Sequence, residues 1–127
     1  MLDICIHQQL NFSIMKEFML IFVGQGNLRA TQSPEEQQAQ MAKWLSWIDD
    51  LKKKETYLDG KPLVPGGKMV KGKSPVVTDG PFTESKEIVG GYFIVRAASI
   101  QDAAEIAKGC PDLALNGRVE VREVAKM

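Results

Sequence analysis

Lys16-Glu17-Phe18-Met19-Leu20-Ile21-Phe22-Val23 is an apolar run of strand length, closed by Gly24 and Gly26. Its apolar side chains occupy odd and even positions alike, which predicts a strand buried on both faces and central in its sheet. Gly24-Gln25-Gly26 lacks the third glycine of a dinucleotide fingerprint and reads as a turn. Regular patterning begins only at Met15. Residues 1–14 are therefore read as an N-terminal extension and residues 15–127 as the domain, with Met15 an alternative start. The extension has no basic leading region, and His7, Gln8 and Gln9 break its apolar residues, so it does not read as a secretion signal.

After this strand, Ser33-Pro34-Glu35-Glu36 is a helix opening. Ser33 can cap free N–H groups, Pro34 suits the first helical position, and Glu36 completes a capping box. Met41, Trp44, Leu45, Ile48 and Leu51 recur at spacings of three and four, predicting one apolar face laid over a sheet. Trp47 lies three residues from Trp44, so one of the two is expected at the border of that stripe. Lys52, Lys53 and Lys54 suit the negative end of the helix dipole as a solvated terminus.

The Gly-, Pro- and Lys-rich stretch from Tyr57 to Lys73 predicts a short strand at Tyr57 to Leu58, a loop through Pro65-Gly66-Gly67 and a short edge hairpin. Val76-Val77-Thr78 reads as a compact strand, and Ile88 to Arg96 as a longer one. Ser99-Ile100-Gln101-Asp102 opens a second helix in capping-box fashion; Ala103, Ile106 and Ala107 form its buried stripe, and Gly109 and Pro111 end it. Val119, Val121 and Val124, interleaved with Arg118, Glu120, Arg122 and Glu123, predict a last strand with a bulge near Glu123.

These elements predict an α+β fold: a ferredoxin-like βαββαβ unit with an antiparallel sheet, two helices on one face and an added edge hairpin. Strands apolar on both sides imply that the other sheet face is covered too, by dimerisation through the sheet. A chain of 127 residues, 44% hydrophobic and 25% charged, suits one soluble domain. Sixteen basic and sixteen acidic side chains cancel, leaving no global field to attract nucleic acid or an anionic membrane. No apolar run reaches the roughly 20 residues of a membrane span. Cys5 and Cys110, the only cysteines, show no metal-ligand spacing and suit a reducing cytoplasm.

Asp79-Gly80-Pro81-Phe82 is the densest candidate for a site. Asp79 can hold an Asx-type turn, or it can contact a ligand or move protons; turns beside clefts do both. Thr83, Glu84, Lys86 and Glu87 follow, with Lys86 expected as the charge partner of Asp79 unless the group is simply a solvated loop. The ligand-binding candidates are Asp79, Phe82, Lys86 and Trp44, and the catalytic candidates are Asp79 and Glu87. Core packing is the alternative for Trp44. Gly67-Lys68-Met69-Val70-Lys71-Gly72-Lys73-Ser74 matches a phosphate loop by letter, but Pro75 and a strand follow it where a helix is required, so it reads as a basic hairpin. Cys110 lacks a histidine to activate it and reads as a packing residue. No cofactor or metal site is expected.

Val77-Thr78-Asp79-Gly80-Pro81-Phe82-Thr83-Glu84-Ser85-Lys86-Glu87, followed by Gly90-Gly91-Tyr92-Phe93, resembles the signature of the DGPF branch of the YCII-related proteins. With Lys16 to Leu20 and Val119 to Arg122, the resemblance covers Met15 to about Ala125. It implies a dimeric α+β barrel-like assembly of ferredoxin-like subunits, without a known reaction. YCII members are associated with a histidine and aspartate pair, and one branch carries out dehalogenation-type elimination on chlorinated aromatic intermediates. Here the only histidine, His7, lies in the extension, so the pair cannot be carried over; Asp79 is the acidic residue that matches. Two functions follow. One is a homodimeric module, binding a small organic molecule or regulating a partner. The other is a cofactor-independent lyase or isomerase, with Asp79 or Glu87 as base and Lys86 stabilising charge.

Overall fold

The computed structural model describes residues 14–25, 31–80 and 87–127. Its elements are β1 (Lys16–Gln25), α1 (Pro34–Lys53), β2 (Tyr57–Pro62), β3 (Lys68–Lys71), β4 (Val76–Asp79), β5 (Glu87–Ala97), α2 (Ile100–Ala107), a 3₁₀ turn (Pro111–Leu115) and β6 (Arg118–Glu123). Four strands form an antiparallel sheet in the order β2-β5-β1-β6, while β3 and β4 make a separate two-stranded ribbon. A helix follows the first and third of the sheet strands, which is consistent with a ferredoxin-like arrangement of an α+β fold. Among the described residues, no helix is long and apolar enough to cross a membrane.

β1 is central, as its two-sided apolar pattern predicts. Phe18, Leu20 and Phe22 point to the helix layer and meet Val95, Phe93 and Gly91 across one ladder and Glu123, Val121 and Val119 across the other. Leu51 of α1, Ala103 and Ala107 of α2 and Cys110 complete this core, so both helices cover the same face. Phe18, Leu20 and Val95 are fully buried, each stabilising the fold by about 1.5–3 kcal/mol. Caps set where the helices start: Ser33 and Glu36 form the reciprocal capping box, and the Ser99 hydroxyl accepts from the Asp102 N–H.

The opposite face carries Met19, Ile21, Tyr92 and Ile94 at its centre, with Glu17, Glu120, Arg96 and Arg122 around them, as the cross-strand register requires.

Several expectations are corrected. The resemblance implied a barrel-like assembly, but the four-stranded sheet is open: β2 and β6 lie at opposite ends of the order and do not pair. The helix stripe is also rotated. Met41 and Leu45 are exposed, at 49% and 59%, whereas Trp47 joins Trp44 in packing half-buried against the core. β2 runs to Pro62 because Gly60 lies against Phe93 and Tyr57, where a Cβ would come within 2.5 Å of the Phe93 ring. The β1–β6 ladder runs in continuous register to Glu123. Register shifts occur instead on β5, where Gly90 is the extra residue between Gly91, opposite Phe22, and Val89, opposite Val23, and on β2, where Leu58 is extra between Tyr57 and Asp59. β4 pairs with β3 rather than with the sheet, and Gly24 and Gln25 continue β1 instead of turning; Gly26 lies outside the described residues.

Candidate functional site

Asp79 ends β4 directly opposite Lys68, the first residue of β3, and the two side chains form an ion pair. The Gly80 N–H donates to the Gly67 carbonyl at 3.1 Å, closing the base of the ribbon just beyond this pair. The expected partner, Lys86, lies outside the described residues, as do Phe82, Thr83 and Glu84; the partner observed is Lys68. The sequence hid it inside the phosphate-loop pattern, where its relation to Asp79 depends on a hairpin folding about Gly72 to Pro75. That hairpin also removes the helix a phosphate loop needs. The Asp79 side chain is 88% exposed, so the pair contributes less than about 1 kcal/mol and both charged heads remain available to a ligand.

Glu87 opens β5, opposite Gln25 on the sheet face away from the helices. Arg118, at the start of β6 and opposite Val23, reaches Glu87 and also bonds Glu120 at 3.1 Å. Hydrogen bonds to Glu87 and then Glu120 raise the Arg118 guanidinium above its ordinary value, so it is a permanent cation beside Glu87. Arg118 was visible in the sequence only as a polar position of an alternating strand; its pairing is set by sheet order.

Trp44 sits on α1 with its ring edge-on to Phe22 at 4.8 Å and Phe93 at 5.8 Å. Its indole N–H donates to Asp112 Oδ1 at 3.1 Å, and Gln40 Nε2 donates to the same oxygen at 2.8 Å. Asp112 thus ties the 3₁₀ turn to the helix. No local pattern marked it, because its partners lie about seventy positions away.

Trp47 lines a shallow, open depression of about 650 Å³ with Lys43, Ser46, Asp50 and Gly109, and a neighbouring one of about 360 Å³ with Leu51, Thr56 and Ile106. Neither is lined by Asp79, Glu87 or Trp44. Among the described residues, the site candidates lie on separate elements and line neither depression: Asp79 is on the ribbon, Glu87 on the open sheet face and Trp44 on α1. Burial pushes the Cys110 thiol up to about 11, which keeps it protonated and poorly nucleophilic near neutral pH. Among the described residues, no group of three or more histidine, cysteine or acidic side chains is arranged to hold a metal ion.

A search of curated proteins finds no match. The family model of the YCII-related domain matches residues 17–127, beginning within β1 and running past β6. That span takes in all but the first residue of the sheet, the ribbon and both helices, and by it the chain belongs to the YCII-related family.

Proposed function

We propose that this YCII-related chain, a member of the DGPF branch, is a homodimeric cytoplasmic module, built on residues 15–127, that binds a small organic molecule. Its ligand contacts are Asp79, Phe82, Lys86 and Trp44. The observation that carries this reading is the state of the acidic candidates. Asp79 and Glu87 are each held by a basic partner, Lys68 and Arg118, and line neither depression described above. A general base must reach a substrate proton in a site that excludes bulk water. An exposed, paired carboxylate suits charge recognition better, which favours binding over the lyase or isomerase alternative with Asp79 and Glu87 as catalytic groups.

Pairing is supported by the open sheet face. Met19, Ile21, Tyr92 and Ile94 form an apolar centre, and Glu17 and Glu120 are matched in number by Arg96 and Arg122. A two-fold axis brings identical surfaces together, so a rim with equal numbers of both charges can meet its own copy without net repulsion.

The test is a thermal-shift screen of small organic acids, alcohols and aromatic carbonyl compounds on the native protein and on Asp79→Ala and Asp79→Asn. The expected result is a ligand whose stabilisation is lost in both variants while their unliganded melting temperatures stay close to native. If no hit depends on Asp79, the ligand assignment is wrong.

A further inference from the structure

The β3–β4 ribbon is an anomaly for a surface element. Every residue from Lys61 to Asp79 is exposed, although Leu63, Val64, Met69, Val70, Val76 and Val77 lie among them. Val70 and Val77 face each other on one side of the ribbon and are 63% and 62% exposed. Met69 and Val76 lie on the other side, so both faces are apolar. A two-stranded ribbon without a core is at best marginally stable in water, and aliphatic side chains on both of its faces gain nothing there unless a surface covers them.

Charge identifies the cover. Lys68, Lys71 and Lys73 against Asp79 give the segment from Leu63 to Asp79 a net charge of +2, so in a chain of net charge zero the remainder carries −2. The body of a second copy is therefore electrostatically complementary to the ribbon. The ribbon also leaves the molecule in the right place, since it follows Pro62 at the end of β2, the edge strand of the sheet whose open face is proposed to pair.

We infer that the β3–β4 ribbon is an arm that packs on a second copy of this chain, so that the Asp79–Lys68 pair of one protomer lies against its partner and the ligand site is shared between them. This rests on the pairing and ligand reading given above. It accounts for Asp79 lining neither of the two depressions described above: the wall it faces belongs to the other copy.

The test places the photo-crosslinker benzoylphenylalanine at Val77 in the full chain, mixes ¹⁵N-labelled and unlabelled protein, irradiates, and maps the joined peptides. Sedimentation and a Val77→Glu variant are run alongside. The expected result is a covalent two-chain species containing one labelled and one unlabelled peptide. Val77→Glu should weaken dimerisation at least tenfold with an unchanged far-ultraviolet circular dichroism spectrum. Adducts only within one chain, adducts only to a co-purifying nucleic acid or other protein, no adduct in a sedimenting dimer, or a native protein that sediments as a monomer would each overturn the arm. The ligand reading is scored separately. Crosslinking between copies with no Asp79-dependent ligand leaves the arm standing and removes the ligand site, whereas an Asp79-dependent ligand without crosslinking does the reverse.

Discussion

Phe93 is the position from which the core can be most sharply tested. It is 6% exposed, and its ring lies 4.8 Å from Phe22, 5.8 Å from Trp44, 5.2 Å from Trp47 and 5.1 Å from Tyr57. Truncating a buried phenylalanine to alanine costs about 3–5 kcal/mol, a large part of the roughly 5–15 kcal/mol that holds a domain folded. Phe93→Leu separates ring geometry from bulk. It keeps most of the apolar volume but loses four aromatic contacts, each worth about 0.5–1.5 kcal/mol beyond burial, so it should cost about 2 kcal/mol or more. Leu45→Ala is the comparator: at 59% exposed it should change stability by less than about 0.5 kcal/mol, although the periodicity of the sequence assigns Leu45 to the buried stripe. Urea unfolding followed by far-ultraviolet circular dichroism reads all three. Tryptophan fluorescence is unsuitable because both indoles contact the mutated ring. Protein concentration must be held fixed, since association shifts apparent stability. A Phe93→Leu midpoint equal to native, or a Leu45→Ala cost equal to that of Phe93→Ala, would refute this account of the core.

Asp112→Ala removes the shared acceptor of Trp44 and Gln40 and should cost about 1–3 kcal/mol in the same melts, with altered near-ultraviolet tryptophan circular dichroism. Gly91→Ala puts a Cβ 2.6 Å from the Lys61 carbonyl oxygen at a residue with φ 152, so hydrogen exchange should show β2 detaching from β5 before the rest of the sheet opens. Cys110 should resist thiol reagents at pH 8 in a Cys5→Ser background until the protein unfolds. Because its folded value is raised from 9.0 to about 11, the unfolded chain releases that proton first, and stability should fall as pH rises from 9 towards 11. A Cys110→Ala variant should lose that part of the slope.

What could be read from the sequence was what is decided locally or by one strong pattern. Ser33 and Ser99 cap their helices because a cap involves only the next three residues, and β1 declared itself central through apolar side chains on both faces. The rotation of α1 was misread because Trp47 and Leu45 are both apolar; only contact with Phe22 and Phe93 decides between them. The bulge was assigned to β6 on the irregular spacing of Val124, whereas two glycines on β5 relieve the strain more cheaply. The same limit governs the site. The sequence offers Asp79 as an Asx-turn or ligand-contacting residue, whereas in the structure it ends β4 with its carboxylate on Lys68; Lys68 and Arg118, which hold the two acidic candidates, become neighbours only through strand pairing.

The order β2-β5-β1-β6 places the earliest strand of the domain between its two latest. Phe18, Leu20 and Phe22 must wait for partners some seventy to a hundred positions downstream before their ladders can close. Such high contact order makes folding slow relative to helical domains, and the sheet cannot be completed before β6 has been made. Until β5 is made, α1 is the first element able to shelter this apolar segment. The strong cap at Ser33 then gains a kinetic purpose: a helix able to form early can shield β1 from other chains until its neighbouring strands emerge.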